Sequence, residues 1–243
     1  MVEEHELVPP TSSELPAGPW VVFAPHADDE TFGMGGSLLL ASQQGIETCV
    51  VIVTNGALGG EGDPTQIIER RIQEARAATT ALGVTELIFL SQPDRSLGVN
   101  PELIEEVKSI LARLNPASVF FPSVLEFHPD HRATAQLVWQ SIAAMPDFDG
   151  DAYSYEISTY APANMLIDVS SVAAEKYAVI ENYASQLVLS KYLALVQAMD
   201  TGRTFSLAMD RTAAEAFFRF PDTSGSLSEQ FAQSILPYFE GTP

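Results

Sequence analysis

Apolar and polar residues alternate along the first 145 residues in blocks that predict strands and helices in turn. Four short apolar blocks predict buried strands at residues 21–26, 48–54, 86–90 and 118–122. After each strand, apolar residues at helical spacing predict helices at residues 37–45, 67–82, 102–114 and 132–145. The glycines between the first strand and the first helix, Gly33, Gly35 and Gly36, predict a turn there. This alternation indicates a parallel sheet with helices on both faces.

The pattern is less regular beyond Pro146. Two further strands are predicted at residues 153–160 and 165–169, and two helices at residues 172–186 and 191–199. No internal repeat or clear interdomain linker interrupts the chain. We therefore expect a single α/β domain, a three-layer α/β/α fold around a mostly parallel, Rossmann-like sheet.

Residues 1–18 lack the basic end and apolar core of a signal peptide, and we expect a flexible or surface-hugging lead-in before a domain at residues 19–243. No apolar run approaches the roughly 20 residues that a membrane-spanning helix needs. The single Cys49 lies in an apolar run, which predicts a buried thiol and excludes a disulfide framework within the chain. These features favour a cytoplasmic location.

Acidic residues outnumber basic ones by 32 to 12, which gives a net charge of −20. Such a charge argues against nucleic acid and anionic membranes as partners. The acids are scattered along the chain, so we interpret them as a solvated acidic surface. A salt-rich habitat would produce the same excess.

Residues that can bind a metal follow two of the predicted strands. The first strand is followed by His26, Asp28, Asp29 and Glu30, and the fourth strand by His128, Asp130 and His131. Open α/β sheets place their sites at the carboxyl ends of strands. Imidazole and carboxylate together suit Zn²⁺ or Fe²⁺, and adjacent carboxylates repel one another unless a cation offsets their charge. We therefore predict a catalytic metal site with one carboxylate as ligand and one as base; spacing alone leaves open whether residue 28 or 29 joins His26.

Two alternatives use the same residues. A non-haem Fe²⁺ oxygenase also binds its metal through two histidines and a carboxylate, but its usual setting is all-β. A binding module could keep the metal ligands without catalysis, although such a module has no need of a base. Oxygen-dependent turnover would identify the oxygenase.

The chain resembles the LmbE/PIG-L family of metal-dependent N-deacetylases. The family motif Ala-His-Pro-Asp-Asp-Glu corresponds here to residues 25–30, Pro-His-Ala-Asp-Asp-Glu, and the motif His-Pro-Asp-His is intact at residues 128–131. Shorter matches extend the resemblance from about residue 20 to residue 186, at Gly35-Gly36, Arg71 with Glu74, Leu82-Gly83, Pro93-Asp94 and Tyr183 to Gln186.

This resemblance implies that His26, Asp29 and His131 bind Zn²⁺, with Fe²⁺ or another divalent metal as alternatives, and that Asp28 is the general base. It further implies that His128, oriented by Asp130, donates to the oxyanion and protonates the leaving amine.

The resemblance also implies contacts between sugar hydroxyls and Arg71 and Asp94. Their alternative interpretations are a cation on a helix surface and a turn cap. Glu30 and Glu74 are expected to be structural hydrogen-bond partners. The expected substrate is a small N-acetylated amino sugar or sugar conjugate, and the expected assembly is a homo-oligomer, from dimer to hexamer.

The sequence departs from the family motif at Ala27, where the family usually has Pro. Losing a proline from an otherwise unchanged backbone typically costs less than about 1 kcal/mol. We expect metal binding to survive this change.

Overall fold

The computed structural model describes residues 12–240, with side chains through residue 233. One sheet contains seven strands: β1 (Trp20–Ala24), β2 (Thr48–Thr54), β3 (Glu86–Gln92), β4 (Ser118–Pro122), β5 (Asp151–Tyr155), β6 (Met165–Asp168) and β7 (Ala214–Arg219). Their order across the sheet is β3-β2-β1-β4-β5-β7-β6. Strands β1 to β5 pair in parallel, whereas β7 runs antiparallel to both β5 and β6. The mostly parallel α/β fold expected from the sequence is confirmed.

Eight helices accompany the strands in this part of the chain: α1 (Asp29–Gln43), α2 (Pro64–Ala81), α3 (Pro101–Leu114), α4 (Pro129–Ala143), α5 (Ala173–Ile180), α6 (Ala184–Leu187), α7 (Tyr192–Gly202) and α8 (Leu227–Glu240). Capping side chains explain where several of them begin. Asp63 accepts hydrogen bonds from the second and third residues of α2, and Asn100 caps α3 in the same way. A proline follows each of these two caps, at the position where its fixed φ suits a helix.

Strands β1, β2 and β4 are buried at every position, whereas the edge strand β3 is mostly half-buried. Val22 and Ala24 of β1 pack in one core with α1, α2, α5 and α7, whereas Val21 and Phe23 pack in a second core with α3 and α4. Successive strand residues point to opposite faces, so each strand must be apolar throughout when helices cover both sides. This requirement explains the uninterrupted apolar blocks of the sequence.

The predicted glycine turn before the first helix is wrong, because α1 begins at Asp29 rather than at residue 37. The glycines lie inside the helix and allow close packing. A Cβ atom on Gly33 would overlap the Glu156 carbonyl oxygen, and one on Gly36 would lie 2.7 Å from Val169. The helix is kinked at Met34, where φ is −148°.

The later elements differ more from their predictions. The strand predicted at residues 153–160 is β5, which ends at Tyr155, and the helix predicted at residues 172–186 is divided into α5 and α6. Strand β5 ends early because the N–H groups of Ile157 and Ser158 donate to the carboxylate of Glu126 rather than to a neighbouring strand. Strand β7 and helix α8 lie beyond the last predicted element, at residues 191–199.

The predicted lead-in is only partly covered, because residues 1–11 lie outside the described residues. Within residues 12–18, the Ser13 N–H donates to the Leu166 carbonyl, and the Ala17 carbonyl accepts from the Ser118 hydroxyl. Flexibility of the lead-in and the boundary at residue 19 stay predictions. Every helix between residues 12 and 240 is too short or too polar to cross a membrane.

Candidate active site

Two helix N-termini bring the predicted site residues together. Strands β1 and β4 are parallel neighbours, with Val22 opposite Phe120, so the segments that follow them lie side by side at the carboxyl edge of the sheet. The first segment enters α1 at Asp29, and the second enters α4 after His128, the residue at its N-cap. The ring centroids of His26 and His128 are consequently 4.6 Å apart, although the two residues are about a hundred positions apart in sequence.

Two of the predicted metal ligands, His26 and His131, lie close to one carboxylate oxygen of the third, Asp29. Oδ2 of Asp29 lies 3.1 Å from Nδ1 of His26 and 3.3 Å from Nε2 of His131, and all three residues are buried. Tetrahedral ligands at the 2.0–2.1 Å bond lengths of zinc lie about 3.3 Å from one another. Each of these two contacts has the separation of two ligands on one zinc-sized cation.

Other donor atoms are close as well. Within residues 12–240, ligand atoms of His26, His128 and His131 lie within 4.8 Å of one another, and so do those of His26, Asp94, His128 and Asp130. Asp29 belongs to neither group, but its Oδ2 contacts His26 and His131 at the separation of metal ligands, so His26, Asp29 and His131 as the ligand set stay a prediction. The other nitrogen of His26, Nε2, faces Oδ2 of Asp130 at 3.3 Å and Oδ1 of Asp94 at 3.4 Å. Such a carboxylate behind a histidine ring is the usual support of a metal-binding imidazole.

The pKa shifts of these groups indicate a site built for positive charge. Burial lowers the pKa of His26, but hydrogen bonds to Asp130, Asp29 and Asp94 outweigh it and raise the pKa well above its ordinary value. Burial also opposes protonation of His131, yet the charge of Asp29 raises its pKa to about 9. The pKa of Asp29 is lowered by both histidines despite its burial. Two imidazoles beside one carboxylate therefore suit a divalent cation, which would replace the protons on His26 and His131.

Asp28, the predicted base, has an unusual backbone. Its φ of 149° is rarely adopted by residues other than glycine, and its side chain makes no capping bond to α1 although it occupies the N-cap position. Strain of this kind is concentrated at functional sites. The carboxylate instead pairs with Nη2 of Arg71 at 3.1 Å, and the same nitrogen donates to the Ala27 carbonyl at 2.9 Å.

The environment of Asp28 raises its pKa to about 7. Burial is the main cause, the charges of Asp29 and Glu30 add to it, and the charges of Arg71 and His26 oppose it. A carboxylate with a pKa near neutrality can accept a proton and release it again. The position and the pKa of Asp28 therefore suit proton transfer.

His128 is held by the start of its own helix. The N–H of Asp130 donates to His128 Nδ1 at 3.2 Å, so a neutral ring carries its proton on Nε2. Burial and the charges of His26 and His131 lower the pKa of His128, which favours this neutral ring. The Asp130 carboxylate, expected to orient His128, is 4.0 Å from Nδ1; it accepts a hydrogen bond from Arg95 N–H at 2.6 Å. Asp130 therefore holds His128 through its backbone.

The two predicted sugar contacts both line a cavity of about 400 Å³ beside these residues. Arg71 is buried, so its interpretation as a helix-surface cation is wrong. Asp94 accepts a hydrogen bond from the Leu58 N–H at 2.9 Å. Contact of either side chain with a substrate stays a prediction. The cavity wall also includes Phe32, Phe127, Ile157, Ser158, Gln186 and Tyr192.

Sequence reasoning missed the importance of Glu126, which is 1% exposed and whose Oε2 lies 3.4 Å from His131 Nδ1. A glutamate between two apolar residues, two positions before a motif histidine, was the only available signal. The structural roles expected for the other two glutamates agree with their contacts. Glu30 accepts a hydrogen bond from the Tyr183 hydroxyl, and Glu74 accepts from Ser185.

Comparison with known proteins identifies a family and curated relatives. Residues 21–142, half of the chain, match the family described as PIG-L: GlcNAc-PI de-N-acetylase. A diacetylchitobiose deacetylase from Thermococcus kodakarensis is 27% identical over 181 residues, which are 67% of each chain.

Solved structures share the fold. An N,N'-diacetylchitobiose deacetylase from Pyrococcus horikoshii superposes with a TM-score of 0.75 at 23% identity, over 83% of each chain. GalB from Pseudomonas putida, a 4-carboxy-2-hydroxymuconate hydratase, superposes with a TM-score of 0.72 at 21% identity, over 89% of this chain and 99% of that one. Because the same fold supports two reactions in these proteins, the reaction must be argued from the site residues.

Proposed function

Because the chain belongs to the PIG-L family of de-N-acetylases, we propose that it hydrolyses the acetamide of an N-acetylated amino sugar or sugar conjugate and releases acetate. The convergence of His26 and His131 on Asp29 carries this proposal, since it supports binding of a divalent cation, for which we propose Zn²⁺. When bound, the cation would polarise the acetamide carbonyl and lower the pKa of a coordinated water.

The remaining residues handle protons and charge. Asp28 takes a proton from the attacking water, and Arg71 holds its carboxylate in place. His128 presents its Nε2–H to the oxygen that becomes negative when water adds to the carbonyl carbon. The carbon–nitrogen bond then breaks, the proton held by Asp28 passes to the leaving amine, and acetate and the free amino sugar are the products.

The cavity supports a small substrate. Its volume of about 400 Å³ lies within the range of small-ligand sites, and it combines a few buried polar groups with the aromatic rings of Phe127 and Tyr192. The amino-sugar assignment comes from the relatives, which are deacetylases of N-acetylated sugars. Homo-oligomerisation and a cytoplasmic location stay predictions.

The two alternatives are less well supported. The α/β sheet is unlike the all-β setting of a non-haem iron oxygenase. A binding module without catalysis would not require the Asp28 and Arg71 pair, and a failure of turnover with metal bound would favour it.

The test is acetate release from N-acetylglucosamine conjugates, including diacetylchitobiose, by the purified chain loaded with Zn²⁺ and after treatment with a chelator. We expect turnover that a chelator abolishes and added Zn²⁺ restores. His128→Ala should retain Zn²⁺ and lose about 10²-fold or more in kcat, because it removes an oxyanion donor. His131→Ala should lose Zn²⁺. Absence of acetate release from every N-acetylated amino sugar by the zinc-loaded chain would refute the proposal.

A matched pair of aspartates tests the base. Asp28 and Asp63 both precede a helix, but only Asp28 lines the cavity. Asp28→Asn should abolish most turnover, whereas Asp63→Asn should not, because asparagine is an equally good N-cap. Equal loss in both variants would contradict the role of Asp28.

A further inference from the structure

Glu126 is a buried carboxylate at the junction between the site and the cavity wall. Its side chain is fully buried, and the residue lies in the segment between β4 and α4, two positions before His128 and five before His131. Oε1 accepts hydrogen bonds from the N–H groups of Ile157 at 2.8 Å and Ser158 at 3.1 Å. Oε2 accepts from the Ser158 hydroxyl.

The same Oε2 atom lies 3.4 Å from Nδ1 of His131. This nitrogen is buried and makes no hydrogen bond that satisfies ordinary geometry. A buried ring nitrogen without a partner carries a substantial free-energy cost, and a carboxylate beside it is the natural acceptor for its proton.

We propose that Glu126 is a positioning residue that fixes the orientation and the protonation of the ligand His131. With its proton on Nδ1 facing Glu126, the ring directs the lone pair of Nε2 toward Asp29, from which it is separated by 3.3 Å. Carboxylates placed in this way behind a metal-binding histidine hold the ring and increase its basicity. The inference rests on the metal site of the proposed function.

The carboxylate also ties the metal ligand to the substrate wall. Ile157 and Ser158 follow β5, line the cavity, and are held by the same side chain that faces His131. One carboxylate therefore contacts both the metal ligand His131 and the cavity wall. A neutral glutamine has the same shape but only one acceptor oxygen, so it cannot hold both segments as the carboxylate does.

Glu156 provides a matched control. It is also buried, it accepts a hydrogen bond from the Ala161 N–H in the same loop, and it pairs with Arg203. Its carboxylate supports the loop without facing a ligand histidine. Glu126→Gln and Glu156→Gln therefore both perturb a buried loop anchor, but only the first reaches His131.

The experiment measures the Zn²⁺ dissociation constants of the wild type and both variants by competition with a chromophoric chelator. We expect Glu126→Gln to bind Zn²⁺ about 10- to 100-fold more weakly, and Glu156→Gln to match the wild type within twofold. A second measurement uses ¹⁵N NMR of the zinc-loaded wild type, with the His131 signals assigned by their loss in His131→Ala. Coordination through Nε2 by itself leaves the proton on Nδ1, so the deciding signal is the ¹H shift of that Nδ1–H. We expect it strongly downfield, as for a proton donated to a carboxylate, and this measurement stands even if Glu126→Gln does not fold.

Three results would overturn the inference: a Zn²⁺ affinity of Glu126→Gln within twofold of the wild type, an equal loss in Glu156→Gln, or a His131 Nδ1–H without the downfield shift in the loaded protein. Any of these with Zn²⁺ bound leaves the proposed deacetylase intact. A wild-type chain that binds no Zn²⁺ would refute the metal site together with this inference.

Discussion

Replacement of Lys176 by methionine should strongly destabilise the fold, because Lys176 neutralises two buried carboxylates. Its ammonium group is fully buried and lies 2.8 Å from both Asp200 and Glu215. Glu215 in turn accepts hydrogen bonds from the N–H groups of Gly36 and Ser37, just beyond the kink in α1. Since Asp29 is the first residue of α1, this network also supports the site.

The magnitude follows from the charge that the variant leaves behind. Breaking a buried ion pair by removing one partner typically costs about 3–5 kcal/mol. Asp200 can instead take up a proton, at about 1.4 kcal/mol per pH unit above its pKa in the folded protein, which is about 6. At pH 7 this route costs about 1.4 kcal/mol beyond what the wild type already loses. We therefore expect Lys176→Met to lose about 1–3 kcal/mol of unfolding free energy at pH 7.

The loss should depend on pH in a defined direction. Burial and the charge of Glu215 raise the pKa of Asp200 to about 6, against the charge of Lys176. The folded protein then keeps a proton that the unfolded chain has released, so this group lowers stability as pH rises from about 4 to about 6, and no further above that. Without Lys176 the pKa rises more, and the window extends upward. The difference in unfolding free energy between the wild type and Lys176→Met should grow by up to about 2 kcal/mol between pH 6 and pH 7.5.

Urea denaturation of the metal-free proteins at both pH values measures this effect, since metal binding would otherwise add to stability. The double variant Lys176→Met/Asp200→Asn is the control; it removes the unpaired charge and should recover most of the loss and its pH dependence. A deficit below about 0.5 kcal/mol, or one equal at both pH values and unchanged in the double variant, would refute the reasoning.

Three further predictions concern the site. Arg71→Met should reduce kcat about tenfold or more with zinc content unchanged, because loss of the guanidinium raises the pKa of Asp28 and releases its carboxylate; loss of zinc by mass spectrometry would contradict this. Phe127→Ala should raise KM about fivefold, equivalent to about 1 kcal/mol. The ring lines the cavity, although it is 73% exposed. An unchanged KM would show that Phe127 takes no part in substrate binding. Tyr183→Phe should cost about 1–3 kcal/mol of stability in thermal or urea unfolding, because buried Glu30 loses a donor, and a change within 0.5 kcal/mol would show that the bond contributes little.

The strands of the parallel half were predictable because their burial on both faces makes them apolar throughout. The predicted strands 48–54 and 118–122 coincide with β2 and β4. The glycines of α1 were misinterpreted because the sequence does not show that Glu156 and Val169 approach the helix there. Strand β7 was missed, since an antiparallel strand inserted between β5 and β6 lacks the strand–helix alternation that identified the others.

The sequence by itself determined which residue types meet at the site, because the motifs at residues 25–30 and 128–131 follow parallel strands, and neighbouring parallel strands end at one edge. Which contacts each side chain makes there was decided by the tertiary structure. Arg71 pairs with Asp28, and the carboxylate of Asp130 faces His26. Both contacts join segments that are remote in sequence. Glu126 acquired its position behind His131 in the same way. Hydrogen bonding and burial of charge depend on distances of a few ångströms, and only the folded chain sets those distances.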